Sequence, residues 1–309
     1  MNRKQIFSKT AKKILNTALS MAIILTMLTL FMMPVKVSGA ETAVRPTFQP
    51  ISVSVKGEGL SVSWKKVTGA VTYDVYRSYS RTTGFKCIKK GVTARSFLDK
   101  KVKSGKKAYY KVRAAAAKDR LLCYSKPVPG IIYRVYIETG HGTGIDGRWD
   151  PGCLWNGYQE AKIMPAICRY TAAYLKNKGV YVYTDAYTGN NRNLKWTLNQ
   201  LKTLDVSVFL NVHCDYQYAP SGTLGLYRTA KQKKLAECLN KGVHKHVNIK
   251  NRGLQYRTDL ATLNETKNCV ACLFETGGIK ADNTLLRTKY VVYGRGLARG
   301  VCYYLGIEW

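Results

Sequence analysis

The sequence predicts a multidomain chain: an N-terminal all-β sandwich followed by an α/β domain with a largely parallel sheet flanked by helices. Two observations carry this. Between residues 47 and 130, short runs of alternating apolar and polar residues are separated by turn formers. From Ile131 onward, near-continuous apolar runs alternate with stretches whose apolar residues recur at offsets of three and four. Ahead of both, Arg3, Lys4, Lys9, Lys12 and Lys13 precede an apolar run from Ile14 to Val35 that ends in Ser38-Gly39-Ala40. A charged start, an apolar middle and a small-residue exit predict a secretory signal peptide over residues 1–40, cleaved after Ala40. Residues 41–46 read as a linker, and no stable membrane span is expected after cleavage.

The chain carries 50 Lys and Arg against 18 Asp and Glu, a formal net charge of +32. Six of the cations lie in residues 1–40, which leaves about +26 on the exported chain. Such a charge concerns partners and solubility rather than fold. For an exported protein it points to cell-wall polymers, acidic polysaccharide or a lipid surface. Nucleic acid is not expected, because no nucleic-acid motif is present. The nine cysteines are odd in number and loosely spaced, and the chain is long enough to stabilise itself by core burial. Most read as small buried hydrophobes, with a Cys87–Cys123 bridge as the one candidate pairing. Cys269 and Cys272, three apart in a strand-like run, point to opposite faces.

The strands of the first domain come in order. Ile51–Val55 and Leu60–Trp64 flank a Gly57-Glu58-Gly59 turn; Tyr73–Arg77, Ala108–Ala114 and a strand near Leu121–Val128 follow. Over 47–130 the Trp64 strand, the Tyr-x-Val-Tyr-Arg strand and the Tyr-Tyr-x-Val-Arg-Ala strand resemble a fibronectin type III domain, which implies a two-sheet sandwich. Nothing in it is catalytic in type. Residues 41–132 hold 20 Lys and Arg against five Asp and Glu, and they contain no histidine. The module therefore reads either as an electrostatic tether to an anionic wall polymer or as a spacer with a basic surface.

In residues 131–309 the expected elements are a strand at Ile131–Ile137, a helix from Gly157 to Lys178 and a strand at Val180–Tyr183. Pro165 predicts a kink in that helix, or a helix start near Met164. A helix at Asn193–Leu204, strands at Val206–Val212 and Leu224–Tyr227, and a helix at Gln232–Val247 follow. A strand at Val270–Phe274 and a helix at Leu285–Leu305 complete the series. In such a sheet, functional groups gather beyond the carboxyl ends of the strands.

Three strand ends carry reactive residue types: His141 in Gly140-His141-Gly142, His213, and Glu275. Glu160 lies at the start of the helix after His141. Two imidazoles and a carboxylate suffice for a catalytic zinc with a fourth position left for water. A further carboxylate must then move the proton, and Glu275 is the natural candidate. The loop Gly144–Trp155, with Trp149 and Trp155, is expected to form one wall of the cleft. His244 and His246 fall in a Lys-rich helical stretch where an offset of two points them apart, so they read as surface residues. Asp185 and Asp215 read as supporting or solvated carboxylates. Cys214, next to His213 on a strand, faces away from it.

These residues also carry a family resemblance. Gly140-His141-Gly142, Glu160, Asn211-Val212-His213-Cys214-Asp215, Asn251-Arg252-Gly253-Leu254 and Leu273-Phe274-Glu275-Thr276-Gly277 stand in the order of the corresponding motifs of zinc-dependent N-acetylmuramoyl-L-alanine amidases of the Amidase_3 type. The chain has Glu138-Thr139 where that family has Asp-Pro. The resemblance implies zinc ligands His141, Glu160 and His213, with Glu275 as general base and acid. It implies cleavage of the amide between N-acetylmuramic acid and the L-alanine of the stem peptide. The expected protein is thus secreted and cell-wall associated, with peptidoglycan as substrate and Zn2+ as cofactor. The alternatives are a zinc peptidase cutting within the stem or cross-link peptide, and a catalytically inactive wall-binding protein.

Overall fold

The computed structural model describes residues 46–187 and 191–309, so the signal peptide and residues 41–45 of the linker lie outside the described residues. Strand β1 (Ser52–Lys56) turns at Gly57-Glu58 into β2 (Gly59–Ser63). A second sheet is formed by β3 (Thr72–Ser78), β4 (Lys86–Val92), β6 (Ala108–Ala115) and β7 (Leu121–Tyr124), while β5 (Ser96–Asp99) joins β2. The sheets run β1-β2-β5 and β4-β3-β6-β7, and β8 (Val128–Gly130) pairs with β6. All these pairings are antiparallel. Leu60, Val62, Trp64, Val75, Tyr110 and Val112 meet between the two sheets as one apolar core.

A Cys87–Cys123 bridge does not form, and both thiols are free. Cys87 is on β4 and Cys123 on β7, at opposite edges of the sheet. Three strand spacings separate them by about 14 Å, against a limit near 7 Å between the Cα atoms of a disulfide.

The α/β part starts later than its apolar run suggests. Ile132 is buried in the sandwich core, and β9 spans Arg134–Thr139. Arg134 is only 4% exposed. Its guanidinium donates to the Glu58, Lys100 and Val102 carbonyls and pairs with Asp205 at 3.1 Å. Residues Pro46–Trp309 form one compact unit, and this cation is one of the bonds that join its two cores.

After β9 come two short hairpins, β10 (Gly142–Thr143) with β11 (Trp149–Asp150) and β12 (Leu154–Trp155) with β13 (Tyr158–Gln159). Helix α1 (Glu160–Asn177) runs through Pro165, so a start near Met164 does not hold. Near a helix start, a proline costs one intrahelical bond, and the rest of the helix continues past it. Then follow β14 (Tyr181–Thr184), α2 (Leu194–Leu201), β15 (Val208–Asp215), β16 (Thr223–Tyr227), α3 (Ala230–His244), β17 (Asn251–Tyr256) and α4 (Ala261–Asn264). The chain closes with β18 (Val270–Gly278), α5 (Asn283–Thr288) and α6 (Tyr290–Leu305).

The six-stranded sheet has the order β14-β9-β15-β18-β16-β17. It is mixed: β16 lies antiparallel to β18 and the other four pairings are parallel. Side chains alternate across it. Val135, Ile137, Leu210, Val212 and Phe274 pack under α1, α3 and α6. Tyr136, Phe209 and Ala271 face α2. Among the described residues, no helix is long and apolar enough to cross a membrane.

Candidate active site

The carboxyl ends of β9, β15 and β18 lie side by side, and the sheet register places His213 directly beside Glu275. The expected strand ends at His213 and Phe274 fall short, because β15 continues to Asp215 and β18 to Gly278. Both residues therefore sit on regular backbone, where neighbouring hydrogen-bonded strands hold their direction.

His141 reaches the same place by a sharp turn. Its backbone is left-handed at φ 67, a conformation that strains a residue with a side chain. Gly140 N donates to Val212 O at 2.8 Å, and Asn191 Nδ2 donates to His141 O at 3.1 Å, which fixes the turn on both sides. Gly140 is required by close approach: a Cβ there would lie 2.5 Å from His213 Nδ1. The turn thus comes to rest against the second imidazole.

Glu160 is the first residue of α1 and is 0% exposed. The amino end of a helix favours its charge. Its Oε1 lies 2.8 Å from His213 Nδ1, and its Oε2 lies 3.2 Å from His141 Nε2. Each oxygen also accepts a backbone N–H at 3.0 Å, Oε1 from Cys214 and Oε2 from Cys153. Burial pushes its pKa up, but His213 and His141 outweigh burial and hold it well below the usual carboxylate range. For His141 burial again opposes charge, and the Glu160 and Asp150 carboxylates push it up to about 9.

His141, Glu160 and His213 form a metal-capable group among the described residues, with ligand atoms all within 4.8 Å of one another. A tetrahedral zinc with bonds of about 2.0 Å spaces its ligand atoms about 3.3 Å apart, and each histidine nitrogen stands 2.8 or 3.2 Å from a Glu160 oxygen. The donor set, two imidazole nitrogens and one carboxylate, is that of a zinc site with an open position. Asp150 completes it. Its Oδ2 sits 2.8 Å from His141 Nδ1, an arrangement that fixes the ring and leaves Nε2 facing Glu160. Sequence reasoning missed Asp150, which lies nine residues after His141 in an irregular loop. The signal available was an acid within reach of the Gly-His-Gly turn.

Glu275 is half-buried, and its Oε2 is shielded from solvent with no hydrogen-bond partner among the described residues. Burial raises its pKa well above the carboxylate range, Glu160 and Asp215 add to this, and Arg252 and His141 oppose it. Arg252 Nη1 and Nη2 each donate to Asp215 Oδ2 at 2.9 Å, so Asp215 supports the site's edge. Asp185 accepts from Thr139 and from Arg192 N, a supporting role beneath the His141 turn. Glu138 lies deeper on β9, fully buried, where its Oε2 accepts from Asn211 Nδ2.

Other expectations divide. Trp149 is exposed beside Asp150, with its Nε1 donating to Gln159 at 3.1 Å, whereas Trp155 stacks on Tyr158 and packs against the core. Only Trp149 is free to line a cleft. His244 is the last residue of α3, with Nε2 3.2 Å from Thr223 Oγ1, and His246 lies past the helix against Trp309. They are not both on the helix surface, and they do not converge. Cys214 is buried in the apolar core, away from the face that carries His213.

Residues 135–303, more than half the chain, match the family model for N-acetylmuramoyl-L-alanine amidase, Amidase_3. Among solved structures, the catalytic domain of an N-acetylmuramoyl-L-alanine amidase from Bacillus (Paenibacillus) polymyxa var. colistinus is similar at a TM-score of 0.50 and 21% identity. The match covers 57% of this chain and 100% of that one, and it is a likeness of fold. An N-acetylmuramoyl-L-alanine amidase of Nostoc punctiforme aligns at TM-score 0.49 and 23% identity, over 56% of this chain and 97% of that one. No curated protein matches the sequence. The matched stretch contains both imidazoles and both carboxylates of the cluster, and the chain belongs to the N-acetylmuramoyl-L-alanine amidase family.

Proposed function

We propose that the protein is a secreted, zinc-dependent peptidoglycan hydrolase that cleaves the amide between N-acetylmuramic acid and the L-alanine of the stem peptide. The observation that carries this is the convergence of His141 Nε2, His213 Nδ1 and the Glu160 carboxylate beside a buried, unpartnered Glu275 oxygen. Zinc bound at His141, Glu160 and His213 supplies water activation near neutral pH and polarisation of the scissile carbonyl.

The chain's own residues supply the rest. Asp150 holds the His141 ring, and the Cys153 and Cys214 amides hold both oxygens of Glu160. Glu275 takes the proton of the attacking water at Oε2 and delivers it to the departing alanine nitrogen. Burial and the nearby Glu160 and Asp215 carboxylates raise its pKa, which favours holding the proton between its uptake from water and its delivery to nitrogen. Arg252, held on Asp215, keeps the Glu275 pKa from rising further.

The proposal extends to the whole chain: a signal peptide over 1–40, a linker at 41–46, a fibronectin type III-like module over 47–130 and the amidase domain over 131–309. The antiparallel order β1-β2-β5 facing β4-β3-β6-β7 supports the module assignment. The reaction is tested with a soluble disaccharide-peptide fragment of the wall and mass analysis of its products. An amidase yields free disaccharide and the intact peptide. A disaccharide that retains L-alanine identifies a peptidase and overturns the reading.

A further inference from the structure

A cleft of roughly 670 Å3 opens at the edge of the six-stranded sheet opposite the histidine cluster. Its walls are the turn before β6 on the sandwich side, the residues leading into β15 and β18, and the start of α3. A second hollow of roughly 500 Å3 shares Asn264 and Thr266–Cys269 with it and continues it toward Leu201 and Lys202. From Val208 to His213 the strand advances five residues, about 17 Å at 3.3 Å each. The groove and the histidine cluster are therefore separate places.

Six cations border this groove: Lys103, Lys106, Lys202, Arg228, Lys231 and Lys267. All six are exposed, and none is in an ion pair among the described residues. Arg134 behaves differently, for it is consumed by Asp205 and five other bonds. Asp205 is in turn occupied by Arg134 and by Ser104 N at 2.8 Å, which leaves Glu265 as the only other carboxylate on the groove among the described residues. The Thr229 hydroxyl and the Asn268 amide also line it, whereas Ser104 Oγ is taken up by Arg134 N and Ser207 Oγ. The described lining contains no aromatic side chain.

We infer that this groove binds a linear phosphodiester polymer with an acyclic backbone, and that it anchors the protein while leaving the opposite, catalytic edge open. Six exposed cations without ion-pair partners, gathered on two adjoining hollows, suit a chain of repeated negative charges. Phosphate oxygens each accept several donors, which suits the mixture of ammonium, hydroxyl and amide groups. Acidic polysaccharide fits less well, because sugar rings bind on aromatic faces and the groove has none. The inference locates the anion site at the junction of the two cores instead of on the outer strands of the sandwich. It does not depend on the amidase reading, since binding is measured without turnover.

The test uses the full exported chain and poly(glycerol phosphate) as probe, with affinity followed over a range of salt. The groove variant carries Lys103→Gln, Lys106→Gln, Lys231→Gln and Lys267→Gln, four side chains without a structural partner. A control variant removes the same charge from the sandwich surface with Lys66→Gln, Lys86→Gln, Lys89→Gln and Lys90→Gln. The groove variant should bind at least about tenfold more weakly, and the slope of log K against log salt should fall by about 0.7 for each phosphate no longer neutralised. The control should stay within about twofold, and both should cleave a soluble wall fragment at the parent rate. Unchanged binding by the groove variant overturns the inference. So does an equal loss in the control, which would make net charge the cause. Equal affinity for polygalacturonate of matched charge overturns the phosphodiester assignment.

Discussion

Gly140→Ala tests the site's geometry with a single added methyl group. The new Cβ would stand 2.5 Å from His213 Nδ1 and 2.6 Å from its Cε1, where ordinary contact begins at 3.4 Å. The imidazole must therefore retreat by about 1 Å, roughly five times the ±0.2 Å tolerance of a metal–ligand bond. Moving Nδ1 that far detaches it from the position it shares with Glu160 Oε1, now 2.8 Å away. Zinc affinity should fall by more than about 100-fold, since disturbing a mere supporting partner already costs 10- to 100-fold. That corresponds to about 2.8 kcal/mol of binding. The overpacking itself should cost the metal-free protein about 1–3 kcal/mol. Competition with a chelator gives the affinity, and the zinc-induced rise in Tm gives the linked stability. Gly157→Ala is the control. It has φ +77 but open space around the added Cβ, so it should cost about 1–2 kcal/mol of stability and leave zinc binding intact. A Gly140→Ala protein that binds zinc as tightly as its parent refutes the described approach of the turn to His213.

Three further outcomes follow from the same geometry. Glu275→Gln keeps the shape but cannot accept a proton, so zinc content should be retained while turnover falls by about 100-fold or more; residual activity near the parent level rules out its proton-transfer role. Asp150→Asn should lower zinc affinity about 10- to 100-fold with little change in fold, read by the same chelator competition; an unchanged affinity would leave Asp150 as a loop contact only. Glu138 is raised by burial first and by Asp185 second, so the folded chain keeps a proton that the unfolded chain releases above about pH 4.5. Stability is therefore lost as pH rises from 4.5 toward the folded pKa. Glu138→Gln should flatten that decline and raise Tm at pH 7 by at least about 2 °C, and a parallel pair of Tm–pH curves would contradict it.

The four residues at the centre of the site were legible because each closes an apolar run or opens a helix, and strand ends in a layered α/β domain converge. What escaped the sequence did so for identifiable reasons. Asp150 sits in an irregular loop, where no periodicity says which way a side chain points. The antiparallel β16 was hidden in an expectation of a largely parallel sheet, although the connection 216–222 is too short for the crossover that a parallel neighbour requires. Ile132 shows how an apolar run can be shared between two cores. Its neighbours look like one strand, yet the residue is buried in the sandwich while β9 begins only at Arg134. The Cys87–Cys123 pairing failed because strand order within a sheet, which sets the distance between two strands, is not written in the spacing of their residues. The groove's cations are scattered over the chain from Lys103 to Lys267, and only the fold collects them.

The central claim is that this cluster cuts the bond between the glycan and the stem peptide. Amino-terminal analysis of purified wall after digestion by the zinc-loaded protein tests it most directly. New L-alanine amino termini should accumulate, the glycan strands should stay intact, and a Glu275→Gln protein should release none. Digestion that exposes other amino groups, or that proceeds equally with Glu275→Gln, contradicts the account.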